Sequence, residues 1–429
     1  MEPVLQIALD FVTLNRAIKM ADESVAGGVD WLEAGTPLIK SEGLDAVREL
    51  RKRFPNHIIV ADMKIMDAGR IEAEAAAKAG ANIVGVLGVA SDATIEECIE
   101  AGKNYGFKVI VDMIGVSDVA KRARQVEELG ADYVGIHIAI DEQMEGVSPF
   151  DKLKEVAQAV NIPIAVAGGI NSENVVDAIN AGASIIVVGG AITKSPDAKL
   201  ATENIKKAMI TRQKVETKYF KRVTGEEIRK ILYEVSTANI SDVMHRTREL
   251  EDIHSVVPNT KLVGKAVTVR TYPGDWSKPV LAIDEAQEGD VIVIDAQGKG
   301  PAVWGEQATR SCLQKKLAGV VINGGIRDVA EIRKLGFPAF SKLIMPSAGE
   351  PRGWGEIGVP IKIGDIVIET GDWIVGDDDG VMVIPKDEAV EIANRAMSWK
   401  EKENREIKEI EEGSTLGKIS EIIRWEKQK

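Results

Sequence analysis

The chain has 429 residues and a formal net charge of −13 at pH 7, with a sequence pI near 5.1. One hydrophobic core rarely serves so long a chain, so we expect two domains. Because the charge balance is acidic and Lys and Arg form no long block, the composition argues against a nucleic-acid partner.

The start of the chain has no basic and then apolar leader, and no segment is apolar over the length that a bilayer requires. The two cysteines, Cys98 and Cys312, fit neither a disulfide nor a metal-ligand spacing. We therefore expect a cytoplasmic protein with buried, reduced thiols and without a membrane partner.

One pattern repeats from residue 4 to about 192: a short β-branched run, a stretch of helical period, then glycine before the next run. Eight such runs over roughly 200 residues are typical of a (β/α)8 TIM barrel, whose active site lies at the C-terminal strand ends. The predicted strands are Val4–Leu9, Trp31–Ala34, Ile58–Ala61, Ile83–Leu87, Val109–Val111, Tyr133–Ile138, Ile162–Ala167 and Ile185–Val188.

Ionisable side chains follow nearly every predicted barrel strand. Charged residues that serve only solubility would occur equally at both ends of the strands, so this one-sided distribution favours an active site. We include Asp10 among the catalytic candidates. For Asp62 and Lys64 the alternative is a salt-bridged strand end, since structural ion pairs also cluster charge. For His137 it is a histidine buried in the core. The strand-end residues are Asp10, Glu33, Asp62 with Lys64, Asp112 and His137.

Two of these carboxylates predict a metal site. Mg2+ prefers carboxylate oxygen and water, so Glu33 and Asp62, at the ends of adjacent strands, are its predicted ligands. A divalent ion there would polarise a bound carbonyl or diol. Lys64 would then stabilise the negative oxygen of an enediolate, and His137 would carry a proton near neutral pH.

Paired glycines follow the last two predicted strands, as Gly168-Gly169 and Gly189-Gly190. Glycine lets backbone N–H groups approach a phosphate, and TIM barrels commonly bind phosphate after strands seven and eight. The two pairs together predict a sugar phosphate as the ligand.

The repeated pattern ends with a predicted eighth helix at about 199–212, which closes a barrel domain of residues 1–212. A polar linker is predicted at 213–224. Residues 225–400 contain several strand-like runs and Gly-Asp turns but few regular βα repeats, which predicts a second α/β domain that is not a barrel. Residues 401–429 are predicted to be a charged C-terminal helix and tail.

A second group of polar residues lies in the segment from Asn323 to Asp328, where a strand leads into a glycine-rich turn. The Arg327 guanidinium is suited to hold a carboxylate through two hydrogen bonds, and Asp328 is suited to hold a metal or its water. The alternative is a turn in which Arg327 and Asp328 pair only with each other.

Asp62, Lys64 and Asp67 form a D-x-K-x-x-D motif, which is the signature of the orotidine-5'-phosphate decarboxylase superfamily. About the first 210 residues resemble this superfamily and, within it, are most similar to 3-hexulose-6-phosphate synthase. The stretches that carry the likeness are Ala8–Asp10, Trp31–Pro37, Ala61–Asp67, His137 with 141–143, Val166–Ile170 and Val188–Ile192.

This resemblance implies a Mg2+-dependent, reversible aldol reaction that joins formaldehyde to D-ribulose 5-phosphate. In the superfamily the last Asp of the signature reaches into the partner subunit's site, so Asp67 implies a homodimer. The implied roles of the other residues are metal binding by Glu33 and Asp62, stabilisation of the enediolate by Lys64 and proton transfer by His137.

A sister branch, 3-keto-L-gulonate-6-phosphate decarboxylase, shares most of these residues and is the alternative. That branch has arginine directly after the strand-six histidine and after the first glycine that follows strand eight. This chain has Ile138 and Gly190 there, which favours the synthase. The segment His137–Ala139 departs from the His-Thr-Gly of the synthases.

Residues 226 to 395 resemble the family of regulator of ribonuclease activity A and 4-hydroxy-4-methyl-2-oxoglutarate aldolase. The stretches Trp304–Glu306 and Arg327–Glu331 carry this likeness, with 236–242 and 376–381. In the aldolase branch the Arg binds a pyruvyl carboxylate and the Asp positions a divalent metal. The implied second site contains Trp304, Glu306, Gly324, Gly325, Arg327, Asp328 and Glu331.

The same family includes ribonuclease-inhibiting members, so a regulatory or oligomerisation module is the alternative to a 2-oxo-acid lyase. Retention of Glu331, an acid that inhibiting members often lack, favours the lyase. Family members commonly form trimers. We interpret the run from Asp377 to Asp379 as a solvated turn.

Overall fold

The computed structural model describes residues 2–138, 143–145, 149–217, 220–222 and 227–420. The chain forms two compact units: the first contains Met1–Arg222 with Glu401–Lys429, and the second contains Val223–Lys400. The described part of the predicted linker at 213–224 therefore groups with the first unit. Residues 141–142 of the synthase-like stretch, residues 223–224 of the linker and the tail from 421 onward lie outside the described residues.

The first unit is built on a closed parallel barrel, so the predicted TIM barrel is confirmed. Each strand pairs with the next one in the sequence, and the last strand closes on the first, with Ile185 opposite Val4. β-Branched and leucine side chains at alternating positions fill the barrel and contact the helices, as a buried parallel sheet requires. The strands are β1 Val4–Leu9, β2 Trp31–Ala34, β3 Ile58–Ile65, β4 Ile83–Leu87, β5 Lys108–Asp112, β6 Tyr133–His137, β7 Ile164–Ala167 and β8 Ile185–Val188.

Strand β3 differs from the prediction because it continues past Ala61 to Ile65. Its pairing with β4 is irregular between these two residues. Within this irregular segment Lys64 has a φ of 48°, a left-handed backbone conformation that non-glycine residues rarely adopt. The irregularity changes the direction of the end of the strand. Asp62 and Lys64 therefore lie within β3 and not beyond it.

The helices of the first unit surround the barrel and bury small apolar faces against it, such as Ala17 and Ala21 of the first helix. The predicted eighth helix is observed as the last one of this series. The helices are α1 Leu14–Ala26, α2 Thr36–Glu42, α3 Asp45–Arg53, α4 Gly69–Lys78, α5 Asp92–Tyr105, α6 Val119–Leu129, α7 Phe150–Ala157, α8 Val175–Asn180, α9 Gly190–Thr193 and α10 Ala198–Thr211.

The second unit is an α/β domain with a mixed sheet, as predicted. Its strands are β9 His254–Ser255, β10 Leu262–Arg270, β11 Val291–Asp295, β12 Ala302–Trp304, β13 Gly319–Ile326, β14 Ala339–Ile344, β15 Glu356–Ile357, β16 Ile361–Ile363, β17 Ile366–Ile368, β18 Trp373–Asp377 and β19 Gly380–Ile384. The main sheet has the order β19-β18-β10-β11-β13-β14-β9, with β12 paired to β13 and β15 paired to β10. Its helices are α11 Ile228–Glu234, α12 Thr237–Val243, α13 Ser277–Glu285, α14 Glu306–Gln314 and α15 Val329–Leu335.

The long charged helix is α16, Ala389–Glu411, and a short helix α17, Leu416–Ile419, follows it. The part of α16 before Glu401 belongs to the second unit, where Ala389, Ala393 and Ala396 join a hydrophobic cluster. Its residues from Glu401 onward group with the first unit. Within the described residues, no helix combines the length and the apolar character needed to cross a membrane.

Candidate active site

Lys64 lies at the centre of a group of charged side chains at the C-terminal end of the barrel. Its Nζ atom is 3.0 Å from Asp62 Oδ2 and 2.9 Å from Asp112 Oδ2. Burial alone would lower the pKa of Lys64, but the two carboxylates outweigh burial and raise this pKa above its ordinary value. Lys64 is therefore a permanent positive charge at the barrel mouth.

Asp112, at the end of β5, connects Lys64 to His137. Asp112 Oδ2 is 3.3 Å from His137 Nδ1, and Asp112 Oδ1 accepts the backbone N–H of Ile114 at 2.9 Å. Burial would raise the pKa of Asp112, but the hydrogen bond from His137 and the charge of Lys64 lower it to about 2. The sequence placed Asp112 at a strand end without giving it a role, and its position there was the only signal.

Asp62 is oriented from the opposite side by Thr36, the first residue of α2. The Thr36 hydroxyl lies 2.6 Å from Asp62 Oδ2 and 2.9 Å from the Asp62 backbone carbonyl oxygen. The Asp62 carboxylate is thus held between a hydroxyl donor and an ammonium donor. Its two oxygens have a defined direction before any ligand is bound.

A second group of acidic residues lies at the ends of β1 and β2. Glu33 is buried and accepts a hydrogen bond from the Gln6 side-chain amide. Burial, together with the charges of Asp62 and Asp10, raises the pKa of Glu33 well above its usual value. Burial and the charge of Asp62 also raise the pKa of Asp10. The charge of Asp62 therefore opposes the ionisation of both Glu33 and Asp10 at this part of the rim.

The chemistry of these donors fits a hard divalent cation. A cation would relieve the repulsion among the carboxylates, and Gln6 Oε1 is a buried oxygen that has no hydrogen-bond partner among the described residues. No group of three or more His, Cys, Asp or Glu side chains in the described part of the chain is arranged to hold a metal. Mg2+ commonly takes only one or two carboxylates and completes its shell with water and substrate oxygens, so Glu33 and Asp62 suffice.

The paired glycines lie beside this group. Gly168 and Gly169 have φ values of 118° and 68°, which an L-residue with a side chain rarely adopts. A Cβ atom on Gly189 would lie 3.9 Å from Asp10 Oδ2, so the loop after β8 borders the acidic group. A Cβ atom on Gly190 would collide with the ring of Phe220.

Asp67, the last residue of the motif, is separate from the other charged residues. Its side chain is exposed, and no hydrogen bond or ion pair among the described residues joins it to Lys64 or Asp112. The neighbouring Met66 is 53% exposed. The described chain by itself therefore does not bring Asp67 into the site.

An open cavity of about 320 Å³ lies beside His137. Its walls are mostly apolar side chains from the segment after β5, and one cation, Lys152, lines it. The cavity provides space for a small organic substrate at the His137 end of the charged group.

In the second unit, Arg327 and Asp328 follow β13 and both side chains are substantially exposed. Arg327 Nε lies 3.6 Å from Asp328 Oδ2, and this oxygen also accepts the backbone N–H of Glu306 at 3.2 Å. A Cβ atom on Gly305 would lie 2.6 Å from Asp328 Oδ2, so only glycine allows this approach.

The other predicted residues of the second site have different surroundings. Trp304 is buried in the core, where its indole N–H donates to Thr309 Oγ1 at 3.0 Å, so it does not line an open site. Glu306 and Glu331 form ion pairs within their own helices, with Arg310 at 2.7 Å and with Lys334 at 2.6 Å. Gly324 and Gly325 permit close packing, since Cβ atoms there would lie 2.8 Å from the Ala296 side chain and 3.1 Å from Ala302 Cα.

Comparison with known families matches both units. The model of a family described as "Orotidine 5'-phosphate decarboxylase / HUMPS family" matches residues 3–205. The model of an RraA-like family, described as "Aldolase/RraA", matches residues 237–383. The two matches do not overlap.

Individual relatives are similar to about half of the chain. The 3-hexulose-6-phosphate synthase of Bacillus subtilis is 39% identical over 207 residues, which cover 48% of this chain and 98% of the relative. The crystal structure of 3-hexulose-6-phosphate synthase from Salmonella typhimurium is 39% identical, covers 49% of this chain and 100% of that chain, and has a TM-score of 0.48. A 3-keto-L-gulonate-6-phosphate decarboxylase structure from Vibrio cholerae is 27% identical, covers 49% and 99%, and has a TM-score of 0.46.

Proposed function

Because the N-terminal domain of this chain belongs to the orotidine 5'-phosphate decarboxylase and HUMPS family and its C-terminal domain is RraA-like, we propose that the chain is an aldehyde-lyase that makes 3-hexulose 6-phosphate. The reaction joins formaldehyde to D-ribulose 5-phosphate and is reversible. The observation that carries this proposal is the position of Lys64 between Asp62 and Asp112, with His137 on the far side of Asp112.

Each side chain of the barrel site has a separate proposed role in the reaction. A proton leaves C1 of the ketose phosphate, and the negative charge that develops on the C1–C2 enediolate lies next to the Lys64 ammonium group. C1 then forms a bond to the carbon of formaldehyde. His137 takes the proton from C1 and delivers it to the formaldehyde oxygen, which becomes a hydroxyl group. Asp112 holds both the imidazole and the ammonium group by accepting from each of them. Asp10 adds to the negative field of the rim.

Glu33 and Asp62 are the proposed ligands of Mg2+. The ion, when bound, would supply Lewis-acid polarisation of the substrate carbonyl and hydroxyl oxygens. Burial and the charges of Asp62 and Asp10 raise the pKa of Glu33, and a divalent cation would offset this repulsion, which supports the assignment. The phosphate group of the substrate is assigned to the loops that contain Gly168, Gly169, Gly189 and Gly190.

A direct assay tests this function. Full-length protein is incubated with Mg2+, formaldehyde and ribulose 5-phosphate, and loss of formaldehyde and formation of hexulose phosphate are followed. The alternative, decarboxylation of 3-keto-L-gulonate 6-phosphate, is measured as release of CO2 in a parallel reaction. We expect formation of hexulose phosphate to be much more efficient than release of CO2. If decarboxylation is the dominant activity, the chain is a decarboxylase and the synthase proposal is wrong.

For the second unit we propose a metal-dependent 2-oxo-acid aldolase or decarboxylase site. Arg327 would hold the substrate carboxylate, and Asp328 would hold the divalent ion or its water. Support comes from the exposed position of both side chains and from the backbone N–H of Glu306, which fixes the Asp328 carboxylate. The ion pair between Glu331 and Lys334 favours the second candidate, a ribonuclease-regulating or oligomerisation module without chemistry.

Oxaloacetate decarboxylation and pyruvate-forming aldol cleavage distinguish these two candidates. Arg327→Ala should remove the activity, whereas Arg310→Ala, which removes an exposed arginine paired with Glu306, should retain it. Activity that survives Arg327→Ala, or no activity in the unaltered protein, supports the module.

The proposed assembly is a homo-oligomer. Asp67 and its exposed neighbour Met66 would contact a second barrel, so that Asp67 enters the partner's site. The RraA-like units would form trimers. Equilibrium sedimentation of the full chain and of Asp67→Ala, which should weaken the dimer contact, tests both associations.

A further inference from the structure

The segment from Phe220 to Arg222, here called the 220–222 segment, lies on the loop that follows β7. Asn171 Nδ2 donates to the Phe220 carbonyl oxygen at 3.1 Å, and Lys221 Nζ lies 2.8 Å from Glu173 Oε1. The Phe220 N–H donates to the carboxylate of Glu401 in α16. Residues that are distant in the sequence therefore fasten this segment beside the Gly168-Gly169 pair.

The same segment also reaches the loop after β8. The ring of Phe220 lies directly against Gly190, where any side chain would collide with it. Phe220 is 8% exposed, so the ring is a fixed part of the barrel unit. The 220–222 segment thus contacts the loop after β7 through Asn171 and Glu173, and the loop after β8 at Gly190.

Two cations contact the aromatic ring of Phe220. The Arg222 guanidinium carbon is 4.1 Å from the centroid of the Phe220 ring, and Lys194 Nζ is 5.8 Å from it. Both distances are within the range of cation–π contacts. Lys194 ends the short helix α9, which begins at Gly190.

Buried charged side chains meet at this position. Arg222 lies 3.4 Å from Glu401, and their side chains are 9% and 4% exposed. Burial, followed by the charge of Arg222, lowers the pKa of Lys194 to about 8, and the carboxylates of Glu401 and Asp10 offset only part of this. Arg222 Nε is buried and has no hydrogen-bond partner among the described residues. Buried donors are normally paired, so the Arg222 Nε–H group is available to an anion from outside the described residues.

We propose that Lys194 and Arg222 bind the phosphate group of the substrate, and that Phe220 and Glu401 hold these two cations beside the paired glycines. This inference rests on the proposed use of a sugar phosphate. Phe220, Arg222 and Glu401 lie outside residues 3–205, the part of the chain that matches the barrel family. The chain therefore adds a phosphate-binding element of its own to the barrel.

Two variants of the full-length chain test the cations. Lys194→Gln and Arg222→Gln should each raise KM for ribulose 5-phosphate roughly 10- to 100-fold, the range for losing a hydrogen bond between charged groups. The KM for formaldehyde should stay constant and kcat should change less. The control Lys199→Gln removes an exposed cation of α10 that pairs with Glu203 in the same helix, and it should leave both KM values unchanged.

A binding measurement separates this inference from the proposed function. Calorimetric titration with inorganic phosphate, and separately with ribulose 5-phosphate in the presence of Mg2+, needs no turnover. Weaker binding of both ligands by the Lys194 and Arg222 variants supports the cation site even if the chain makes no hexulose phosphate. Unchanged binding by both variants overturns the cation site, even if the synthase activity is high.

Two further variants test Phe220 and Glu401, the residues proposed to hold the two cations in place. Glu401→Gln should raise KM for the sugar phosphate more than it lowers kcat, whereas a purely structural role would lower the melting temperature and leave KM unchanged. If Phe220→Ala instead increases kcat and lowers KM, the ring blocks the loop after β8, and the proposal is wrong. If Arg222→Gln does not fold, Lys194→Gln and the charge-preserving Arg222→Lys give the same comparison.

Discussion

The role of Asp112 can be tested with Asp112→Asn, which preserves size and one oxygen acceptor but removes the charge. The Asp112 side chain is only 14% exposed and accepts from both Lys64 and His137. Its pKa is lowered from 3.8 to about 2, which corresponds to about 2 kcal/mol in favour of the ionised form in the folded protein. The variant should lose a free energy of this order at pH 7.

The sign of the pH dependence follows from the lowered pKa. A depressed carboxyl pKa stabilises the fold above the unfolded value near 3.8, and this stabilisation disappears as the pH falls through about 2. The free-energy difference between the unaltered chain and Asp112→Asn should therefore be constant above about pH 5. It should shrink between about pH 4 and pH 2.

Hydrogen exchange detected by mass spectrometry measures this effect in the full chain without assuming two-state unfolding. Peptides that cover β3 and β5 should exchange roughly 30-fold faster in Asp112→Asn at pH 7. The synthase kcat should fall about 100-fold or more, because Lys64 and His137 lose their shared acceptor. The control Glu97→Gln, which alters an exposed carboxylate of α5 that pairs with Arg70, should change exchange in β3 and β5 little and leave kcat unaltered.

Two results would refute this reasoning. Unchanged exchange in β3 and β5 would show that Asp112 does not stabilise the charged group. A loss of stability that remains equally large below pH 2 would show that the effect comes from packing and not from the ionised carboxylate.

The remaining predictions concern single groups. Lys64→Ala should lower the synthase kcat at least 100-fold, and it should also lower the melting temperature because Asp62 and Asp112 lose their shared cation. A folded variant that keeps most of its formaldehyde consumption would exclude Lys64 from the mechanism. Because burial and neighbouring carboxylates raise the pKa of Glu33, Mn2+ affinity measured by electron paramagnetic resonance should already decline while the pH is still well above 4.5. Glu33→Gln should flatten that decline. Burial raises the pKa of Cys98 and Cys312 to about 12, so both thiols should react with a disulfide reagent only after denaturant is added.

The alternation of β-branched runs and helical stretches was sufficient to predict the barrel and both limits of four of its eight strands, β1, β2, β4 and β8. In a barrel of parallel strands, all C-terminal ends meet at one rim. For this reason the sequence also predicted that Asp10, Glu33, Asp62 and His137 belong to one rim. The assignment of metal and proton-transfer roles to these residues stays a prediction.

Sequence periodicity could not predict that Asp112 bridges Lys64 and His137. It depends on the irregular end of β3, where the left-handed backbone at Lys64 directs the ammonium group toward β5. A repeat pattern describes regular strands and carries no information about such a local departure. The burial of Trp304 was missed for another reason: its predicted role came from the family resemblance, which does not show that its indole ring joins the core.

Local patterns thus predicted the two domains and the chemical character of the barrel rim, because strand and helix periods are properties of neighbouring residues. The contact between Phe220 and Glu401 is of another kind, since 181 residues separate the two in the chain. The contact accompanies the burial of two cations, Arg222 and Lys194, near the carboxylate of Glu401. Tertiary packing therefore controls which charges adjoin the glycine loops, because electrostatic and packing energies depend on distance in space and not on distance along the chain.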